Sequence, residues 1–303
     1  MRRFRFGVNF RAAQIEDWPD ECRRTEAMGF DTVVAPDHLG HPSPFAMLAA
    51  AAASTSRLRL GTLVLNNEFW NPALLAREAA TVDRLSGGRL DLGLGLGHMK
   101  SEFEEAGIPW RGHAERLSAL EASLDALEAR FAVQEPAPVQ RPRPPVLIGG
   151  HGPATLRLAA RRADTVGFGG LVQRRGARMG VFDMDGPGEV LRRVDLVREE
   201  AGDRAADLEF NVLVQAVSVT DDAEKEAARL AGVYGAGGLD TAEKVLASPF
   251  VLVGTAGEIA DGLLAARERY GFSYVTAHGE SREALAEVIP RVREAAGERA
   301  ALS

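Results

Sequence analysis

A carboxylate and an imidazole stand side by side at Asp37-His38, directly after the apolar run of residues 31–35. Imidazole exchanges a proton near neutral pH, and a neighbouring carboxylate can orient the ring or raise its pKa. The other explanation of the dipeptide is a surface turn in which Asp37 binds the backbone. If the run 31–35 is a strand of a (β/α)8 barrel, the dipeptide lies at the strand end where enzymes of this fold carry their functional groups, and the first explanation is favoured. His38 is therefore the candidate proton donor or acceptor.

Other apolar runs also change character where they end. The changes occur at Asn9, at Asn66-Asn67-Glu68 and at Gly97-His98. A parallel strand buried on both faces should be apolar along its whole length, so polar residues at its carboxyl end indicate a ligand there. Asn9 fits a turn-stabilising role equally well.

A glycine-rich sequence, Gly149-Gly150-His151-Gly152, follows the short apolar run 146–148 and precedes a predicted helix. Glycines allow backbone N–H groups to converge, and a helix N-terminus adds positive potential. The combination favours a bound phosphate group, although glycine is also a common breaker of regular structure.

The elements that would position these residues alternate along the chain. Strands are predicted at residues 4–10, 31–35, 57–65, 90–94, 146–148, 165–168, 209–219 and 272–277. Helices are predicted at residues 15–28, 44–54, 72–85, 115–131, 154–162, 189–201, 221–230, 255–270 and 282–296. Eight strands alternating with helices predict a (β/α)8 TIM barrel, as one domain over residues 1–303. A doubly wound open sheet is the second choice, because no Gly-x-Gly-x-x-Gly turn follows the first strand.

Two segments have no clear regular pattern. Residues 169–187 are glycine-rich and irregular, and residues 233–246 fit neither a helix nor a strand convincingly. A long irregular loop inside a compact domain suggests a lid or a binding loop. Both segments are expected to shape a substrate pocket.

The composition describes an acidic globular chain. Of 303 residues, 46% are hydrophobic and 26% are charged, and the formal net charge is −7. This charge disfavours attraction to nucleic acid or to an anionic membrane. No run reaches the ~20 apolar residues of a membrane span, and no signal peptide is recognisable. With Cys22 as its single cysteine, the chain cannot form a disulfide within itself and is expected to be cytoplasmic.

Several catalytic classes lack their sequence motifs. His38 and His41 have no third histidine near them in the sequence, so no metal is predicted. There is no Gly-x-Ser-x-Gly elbow and no Walker-type phosphate loop.

With these residues assembled, the chain resembles the bacterial luciferase-like superfamily, and within it the oxidoreductases that use the deazaflavin coenzyme F420. The resemblance covers about residues 4–293. Its motifs are Ala35-Pro36-Asp37-His38, Leu60-Gly61-Thr62-Leu63-Val64-Leu65 through Asn71-Pro72-Ala73, Ser86-Gly87-Gly88-Arg89-Leu90-Asp91-Leu92-Gly93-Leu94-Gly95, Glu102-Phe103, Gly107-Ile108-Pro109-Trp110, Gly149-Gly150 and Arg162-Ala163-Asp164. The family implies a barrel, usually homodimeric, with flavin or deazaflavin at its C-terminal mouth.

The resemblance also implies roles for individual residues. It implies a non-proline cis peptide between Leu63 and Val64, behind the cofactor ring. His38 is expected near the ring carbon that exchanges hydride, with Asp37 contacting the ring edge or orienting the imidazole. The other predicted cofactor contacts are Asn9, Asn66, Gly97, His98 and the phosphate loop Gly149, Gly150, His151 and Gly152. The predicted substrate wall is Phe69, Trp70, Trp110 and Phe168.

One position departs from the family. Where sugar-phosphate dehydrogenases of this family carry a Glu after the Gly-x-Gly run, this chain has His98. The departure argues against sugar-phosphate oxidation. The shortage of lysine in the predicted mouth loops also argues against it, because lysine would pair with the phosphate. Arg174, Arg175 and Arg178 could take the place of lysine there.

Three hypotheses follow from these residues and the resemblance. The first is an F420-dependent oxidoreductase that transfers hydride to or from an unsaturated carbon, an imine or a carbonyl group. The second keeps the family but uses FMN and molecular oxygen, as a monooxygenase. The third is a cofactor-binding or assembly protein without catalysis, which the Asp37-His38 pair and the glycine loop disfavour.

Overall fold

The computed structural model describes residues 2–10, 16–174, 176–177 and 181–298. Its strands are β1 (Arg5–Asn9), β2 (Thr32–Ala35), β3 (Arg59–Thr62), β4 (Leu65–Asn66), β5 (Leu90–Gly95), β6 (Val146–Gly149), β7 (Thr165–Phe168), β8 (Leu171–Gln173), β9 (Phe182–Met184), β10 (Glu209–Val214), β11 (Ala216–Val219), β12 (Val251–Gly254) and β13 (Phe272–His278). Its helices are α1 (Trp18–Ala27), α2 (Pro44–Ser54), α3 (Pro72–Leu85), α4 (Lys100–Glu105), α5 (His113–Val133), α6 (Pro153–Arg162), α7 (Pro187–Ala201), α8 (Ala223–Tyr234), α9 (Ala242–Ala247), α10 (Ala256–Tyr270) and α11 (Arg282–Ala295). Ile15, Arg175 and Arg178, which the sequence predictions include, lie outside the described residues.

A closed parallel barrel forms the centre of the fold. Its strand order is β3-β2-β1-β13-β10-β7-β6-β5-β4, and β3 also pairs with β5, which closes the ring. β3 and β4 are two halves of one barrel strand, separated by Leu63 and Val64. The barrel therefore has eight strand positions, and the predicted (β/α)8 barrel is confirmed. That it forms a single domain over residues 1–303 stays a prediction.

The outward face of the barrel strands is apolar because it is covered by helices. Phe6 and Val8 of β1 and Phe272 of β13 are buried among side chains of the surrounding helices. These outward side chains make the strands look apolar in the sequence, although the alternate side chains point into the barrel.

The inward face has a charged floor at the amino ends of the strands. Arg5 donates to Asp91 at 2.5 Å and to Glu209 at 2.7 Å, which joins β1 to β5 and β10 across the barrel. Arg59 donates to Asp91 from β3, with its Nε atom 3.1 Å away. These ion pairs close the end of the barrel that lies away from the predicted site.

Above this floor the two sides of the interior differ. On β3, β5, β6 and β7 the inward positions include five glycines, at 61, 93, 95, 149 and 167. The inward positions of β10 and β13 carry polar side chains instead. The Asn211 amide, for example, donates to Thr276 Oγ1 at 2.8 Å. The two halves are called the glycine side and the polar side below.

The structure corrects two predicted strands. Residues 57–65 do not form one strand, since pairing is interrupted between β3 and β4. Residues 209–219 divide into β10, which is part of the barrel, and β11, which pairs with β12 outside it. The division occurs at Gln215, whose backbone N–H donates to Phe250 at 2.7 Å.

The segments without a sequence pattern also contain regular structure. Residues 169–187 include the antiparallel hairpin of β8 and β9, so the prediction that they are irregular is wrong. Residues 233–246 contain the end of α8 and most of α9, while α4 was not predicted. Within the described residues, no helix is long and apolar enough to cross a membrane.

Candidate active site

The carboxyl ends of all eight barrel strands meet at one mouth. The side chains and glycines found there are Asn9, Asp37, His38, Leu63, Val64, Asn66, Gly97, His98, Gly149, Gly150, His151, Gly152, Gln215 and His278. The barrel thus brings His38 and the predicted cofactor contacts to the same end of the molecule.

His38 is paired with a carboxylate, Glu102. Its Nδ1 atom lies 2.9 Å from Glu102 Oε1 and 3.1 Å from Oε2. Glu102 is carried by the short helix α4, and 12% of its side chain is exposed, against 26% for His38. Because Nδ1 faces the carboxylate, Nε2 is the nitrogen that remains for proton exchange with a ligand. The Glu102-Phe103 motif was the sequence signal for this residue, but the motif alone assigned no role to it.

Asp37 does not orient His38. Its Oδ2 atom accepts hydrogen bonds from the indole Nε1 of Trp70 at 2.8 Å and from the backbone N–H of Asn66 at 3.0 Å. Burial raises the pKa of Asp37, although the bonds from Trp70 and Asn66 act in the opposite direction. The prediction that Asp37 orients the imidazole is therefore wrong, because Glu102 makes that contact and Asp37 ties β2 to β4.

The peptide bond between Leu63 and Val64 is cis, as the resemblance implies. The side chain of Val64 lies on glycines of neighbouring strands, where an added Cβ would come close to it or to the backbone beside it. A Cβ on Gly95 would lie 2.6 Å from Val64 Cγ2, and one on Gly149 would lie 3.2 Å from Cγ1. At Gly93 a Cβ would lie 1.9 Å from the carbonyl oxygen of Thr62. Val64 with these three glycines forms an apolar surface at the mouth, called the Val64 platform below.

Asn66 and Gly97 form the wall beside this platform. Gly97 has a φ of +69°, which favours glycine, and a Cβ there would lie 2.5 Å from Asn66 Oδ1. The same oxygen accepts a hydrogen bond from the backbone of Glu68 at 3.2 Å. The close approach explains why the chain has glycine immediately before His98.

His41 and His98 both lie near His38, and the ring of His41 is 5.4 Å from the ring of His38. The ring of His98 is 5.4 Å from the ring of His38 and 5.9 Å from Phe182 in β9. Desolvation by the mouth walls, and then the nearby His38, lower the pKa of His98. Burial, followed by Arg193 and His98, lowers the pKa of His151 to about 4. At neutral pH the His151 ring is therefore uncharged, and the surroundings of His98 favour its neutral form.

The glycine loop is suited to an anionic group. α6 begins at Pro153 and has ten residues, and its N-cap Gly152 has no side chain to bond the first-turn N–H groups. Those groups remain available to a ligand, at the positive end of the helix dipole. Thr155 Oγ1 lies in the first turn, 3.4 Å from Nε2 of His113. The loop therefore offers backbone amides, a hydroxyl and an imidazole on one side of the mouth.

The four predicted wall aromatics do not lie together. Phe69 and Trp110 both pack on the buried Phe103, with ring centroids 5.4 Å and 4.8 Å apart from it. Trp70 contacts Phe45 and holds Asp37. Phe168 points outward, is 2% exposed and packs on Phe210 and Phe272. The prediction that Phe168 lines a substrate pocket is therefore wrong, since its ring lies in the layer between barrel and helices.

Three polar residues lie together on the polar side of the mouth, and the sequence predicted only one of them. Asn9 of β1 is the register partner of His278 of β13, and His278 Nε2 lies 3.3 Å from Gln215 Oε1. Asn9 and His278 are 5% and 6% exposed. We call Asn9, His278 and Gln215 the polar arc. Only Asn9 was predicted, because His278 and Gln215 end strands whose boundaries the apolar pattern did not fix.

Residues 4–274 match the family model described as luciferase-like monooxygenase. The chain belongs to this luciferase-like family. Among its described residues, no group of three or more His, Cys, Asp and Glu side chains is placed to hold a metal ion.

Curated relatives of this luciferase-like chain use two cofactors. An F420-dependent glucose-6-phosphate dehydrogenase of Intrasporangium calvum is 34% identical over 171 residues, which are 48% of this chain and 51% of the relative. An FMNH2-dependent dimethylsulfone monooxygenase of Pseudomonas putida is 31% identical over 131 residues, which are 38% of this chain and 36% of the relative. The chain thus spans about half the length of the curated dehydrogenases it matches.

Solved structures share the luciferase-like fold over nearly the whole chain. The F420-dependent tetrahydromethanopterin reductase of Methanopyrus kandleri has a TM-score of 0.73 at 17% identity, and the match covers 97% of this chain and 99% of the reductase. An F420-dependent secondary alcohol dehydrogenase, solved with an F420–acetone adduct, has a TM-score of 0.76 at 18% identity, covering 96% of this chain and 100% of the other. At such identities the likeness establishes the fold.

Proposed function

We propose that this luciferase-like protein is an F420-dependent oxidoreductase acting on an unsaturated carbon, an imine or a carbonyl group of a small molecule. The observation that carries the proposal is the His38–Glu102 pair beside the Val64 platform. When bound, the deazaflavin supplies or accepts the hydride. The protein supplies the proton, which is held at His38 Nε2 while Glu102 fixes the ring through Nδ1.

The residues present fit a flat, phosphorylated cofactor. Val64 offers an apolar surface for one face of a ring, since Gly93, Gly95 and Gly149 give its side chain room. The uncapped first turn of α6 and Thr155 suit the phosphate, and Asn66 and His98 form the adjoining wall. His151 stays neutral beside the glycine loop at physiological pH.

A second candidate is FMN-dependent monooxygenation. It is supported by the family description and by the FMNH2-dependent relative of Pseudomonas putida. The platform and the glycine loop would serve FMN equally, since both cofactors combine a planar tricyclic ring with a phosphate-bearing chain. The two functions differ in chemistry, because monooxygenation needs molecular oxygen as co-substrate.

The test compares F420 and FMN binding to the purified protein by calorimetry and fluorescence quenching. We expect F420 to bind more tightly and its reduced form to be consumed with an enone such as 2-cyclohexen-1-one. Tighter FMN binding, with oxygen uptake in the presence of reduced FMN, would replace the first function by the second. Binding of neither would support a protein without catalysis. Cytoplasmic location and a homodimer remain predictions.

A further inference from the structure

The polar arc has a buried acceptor without a partner. Among the described residues no hydrogen bond reaches Asn9 Oδ1, and Asn9 is 5% exposed. An unsatisfied buried acceptor costs about 1–3 kcal/mol. Gln215 differs, because its amide nitrogen donates to the carbonyls of Gly169 at 3.1 Å and Leu213 at 3.3 Å. Gln215 is thus held in place, whereas Asn9 has capacity left for a ligand.

The arc extends from Asn9, two strand positions from the Val64 platform, to Gln215 on the opposite side of the mouth. Going round the barrel from β3 the order is β2, β1, β13, β10, so β10 is opposite the β3–β4 strand that carries Val64. His38 follows β2 and lies between the two. A ring on the platform therefore has the proton donor at one edge and the arc on the far side, where the second reactant must lie.

The chemistry of the arc favours an uncharged polar group. Its members are two amides and one imidazole. Among the described residues, the guanidinium groups nearest along the chain are those of Arg5 and Arg282, and both are engaged by carboxylates. A carboxylate or phosphate would have no cation to pair with among these three residues. A hydroxyl can donate to Asn9 Oδ1 and also accept from the amide nitrogen of the same side chain.

We propose that the polar arc binds a hydroxyl group of the substrate, at a position remote from the carbon that exchanges hydride. Asn9, predicted from the sequence to contact the cofactor, contacts the substrate instead. This assignment rests on the proposed F420-dependent function and names the class of molecule it uses, a hydroxylated, uncharged compound with a reducible bond. Sites built around a hydrogen bond to a hydroxyl discriminate strongly against analogues that lack it.

The test uses matched probes on the protein saturated with oxidised F420, so that binding is measured without turnover. The probes are 2-cyclohexen-1-one and its 4-hydroxy, 5-hydroxy and 6-hydroxy derivatives, and dissociation constants come from calorimetry. At least one hydroxylated probe should bind about tenfold or more tightly than the parent ketone. Asn9→Ala should abolish that preference while F420 affinity and thermal stability stay close to those of the unaltered protein.

Asn67→Ala is the matched control. Asn67 is also buried, with an unpartnered side-chain amide oxygen, but it follows β4, two strand positions from Asn9. The hydroxyl preference should survive this change. Equal affinity for all probes, a preference that survives Asn9→Ala, or no binding of any hydroxylated probe up to about 10 mM, above the usual range of KM, would each overturn the assignment. Failure to bind F420 at all would overturn the proposed function itself, which separates the two results.

Discussion

Glu102 lies 64 residues after His38 in the chain, yet its carboxylate is 2.9 Å from the imidazole Nδ1. The contact joins the loop after β2 to helix α4, which follows β5, two strand positions away around the barrel. An imidazole held in this way presents one nitrogen to the carboxylate and the other to a ligand. The pair therefore defines which atom of His38 exchanges a proton.

Replacing His38 should affect turnover far more than cofactor binding. His38→Ala is expected to lower kcat by about 10²–10⁴-fold, the usual contribution of a positioned acid or base. Glu102→Gln keeps the shape of the side chain but removes its charge, and should lower kcat by about 10-fold or more. Steady-state kinetics and F420 titration measure both effects.

The control for Glu102→Gln is Glu105→Gln, which changes an exposed carboxylate on the same helix. It should leave kcat unchanged. A normal kcat in His38→Ala with a large loss of cofactor affinity would contradict the proton role.

The Val64 platform predicts a compensating pair of substitutions. Gly95→Ala places a Cβ 2.6 Å from Val64 Cγ2, so it should destabilise the fold by about 1–3 kcal/mol and weaken cofactor binding. Val64→Ala removes the colliding methyl groups. The double variant should therefore be more stable than the sum of the single changes predicts, by about 1 kcal/mol or more. Denaturant unfolding measures all four proteins.

Gly262→Ala serves as the control for an added methyl group. Gly262 is exposed within α10 and has no neighbouring atom in reach of a new Cβ. This change should raise stability by about 0.5–1 kcal/mol, because alanine favours the helix. Additive effects of Gly95→Ala and Val64→Ala would disprove the contact.

The hydrogen bond from Trp70 to Asp37 should make the loss of folding stability in Trp70→Phe depend on pH. Removing the indole donor leaves a buried carboxylate with one partner fewer, which raises the already elevated pKa of Asp37 further. Where the carboxylate is ionised, the loss of stability is expected to be about 2 kcal/mol. The loss should shrink as the pH falls and Asp37 takes up a proton, because the protonated form needs the donor less.

Trp18→Phe provides a matched comparison. Trp18 Nε1 also donates a buried hydrogen bond, to the carbonyl oxygen of Met47 at 2.7 Å. A carbonyl does not titrate, so the cost of this change should be the same at every pH. Parallel pH profiles for the two variants would rule out the role assigned to Asp37.

His151 should make the folded state sensitive to mild acid. Its pKa of about 4 in the folded chain lies below the ordinary value of 6.5, so the unfolded state binds the proton more readily between these values. The contribution of the neutral His151 ring to the free energy of unfolding is at its maximum above pH 6.5. It is lost as the pH falls toward 4, by up to about 3 kcal/mol. His151→Asn should reduce this loss, as followed by urea unfolding between pH 7 and 4.5.

The exposed His113 at the start of α5 is the control, since its ring is accessible in the folded chain. His113→Asn should leave the pH dependence of stability as it is in the unaltered protein. Identical profiles for the His151→Asn variant and the unaltered protein would show that the buried ring does not limit stability in acid.

The barrel was predictable because its apolar runs and helices alternate locally, and because several helix boundaries carry local signals. Residues 44–54 and 72–85, for example, begin at a proline and were predicted with the bounds that α2 and α3 have. The hairpin of β8 and β9 was not, since its three-residue strands are too short to show alternation. The break at Gln215 also escaped detection, because the apolar pattern continues through it into β11.

The candidate site was predictable in its location more than in its contacts. Strand ends identified His38, and the resemblance identified the Leu63–Val64 bond. Which carboxylate faces His38 depends on how α4 folds back over the mouth, and Asp37 was the nearer choice in the sequence. Phe168 shows the same limitation, because alternation along β7 turns its ring away from the mouth.

The unequal interior of the barrel determines where the protein can be redesigned. Gly93 and Gly95 exclude even a methyl group, and one at Gly149 would press on Val64, so variants at the first two positions mostly sample chains that fold poorly. Asn9, Gln215 and His278 occupy positions where side chains already fill the space, and exchanges among residues of similar volume leave the backbone as it is. A combinatorial library confined to these three codons would therefore search new ligand preferences within an intact barrel.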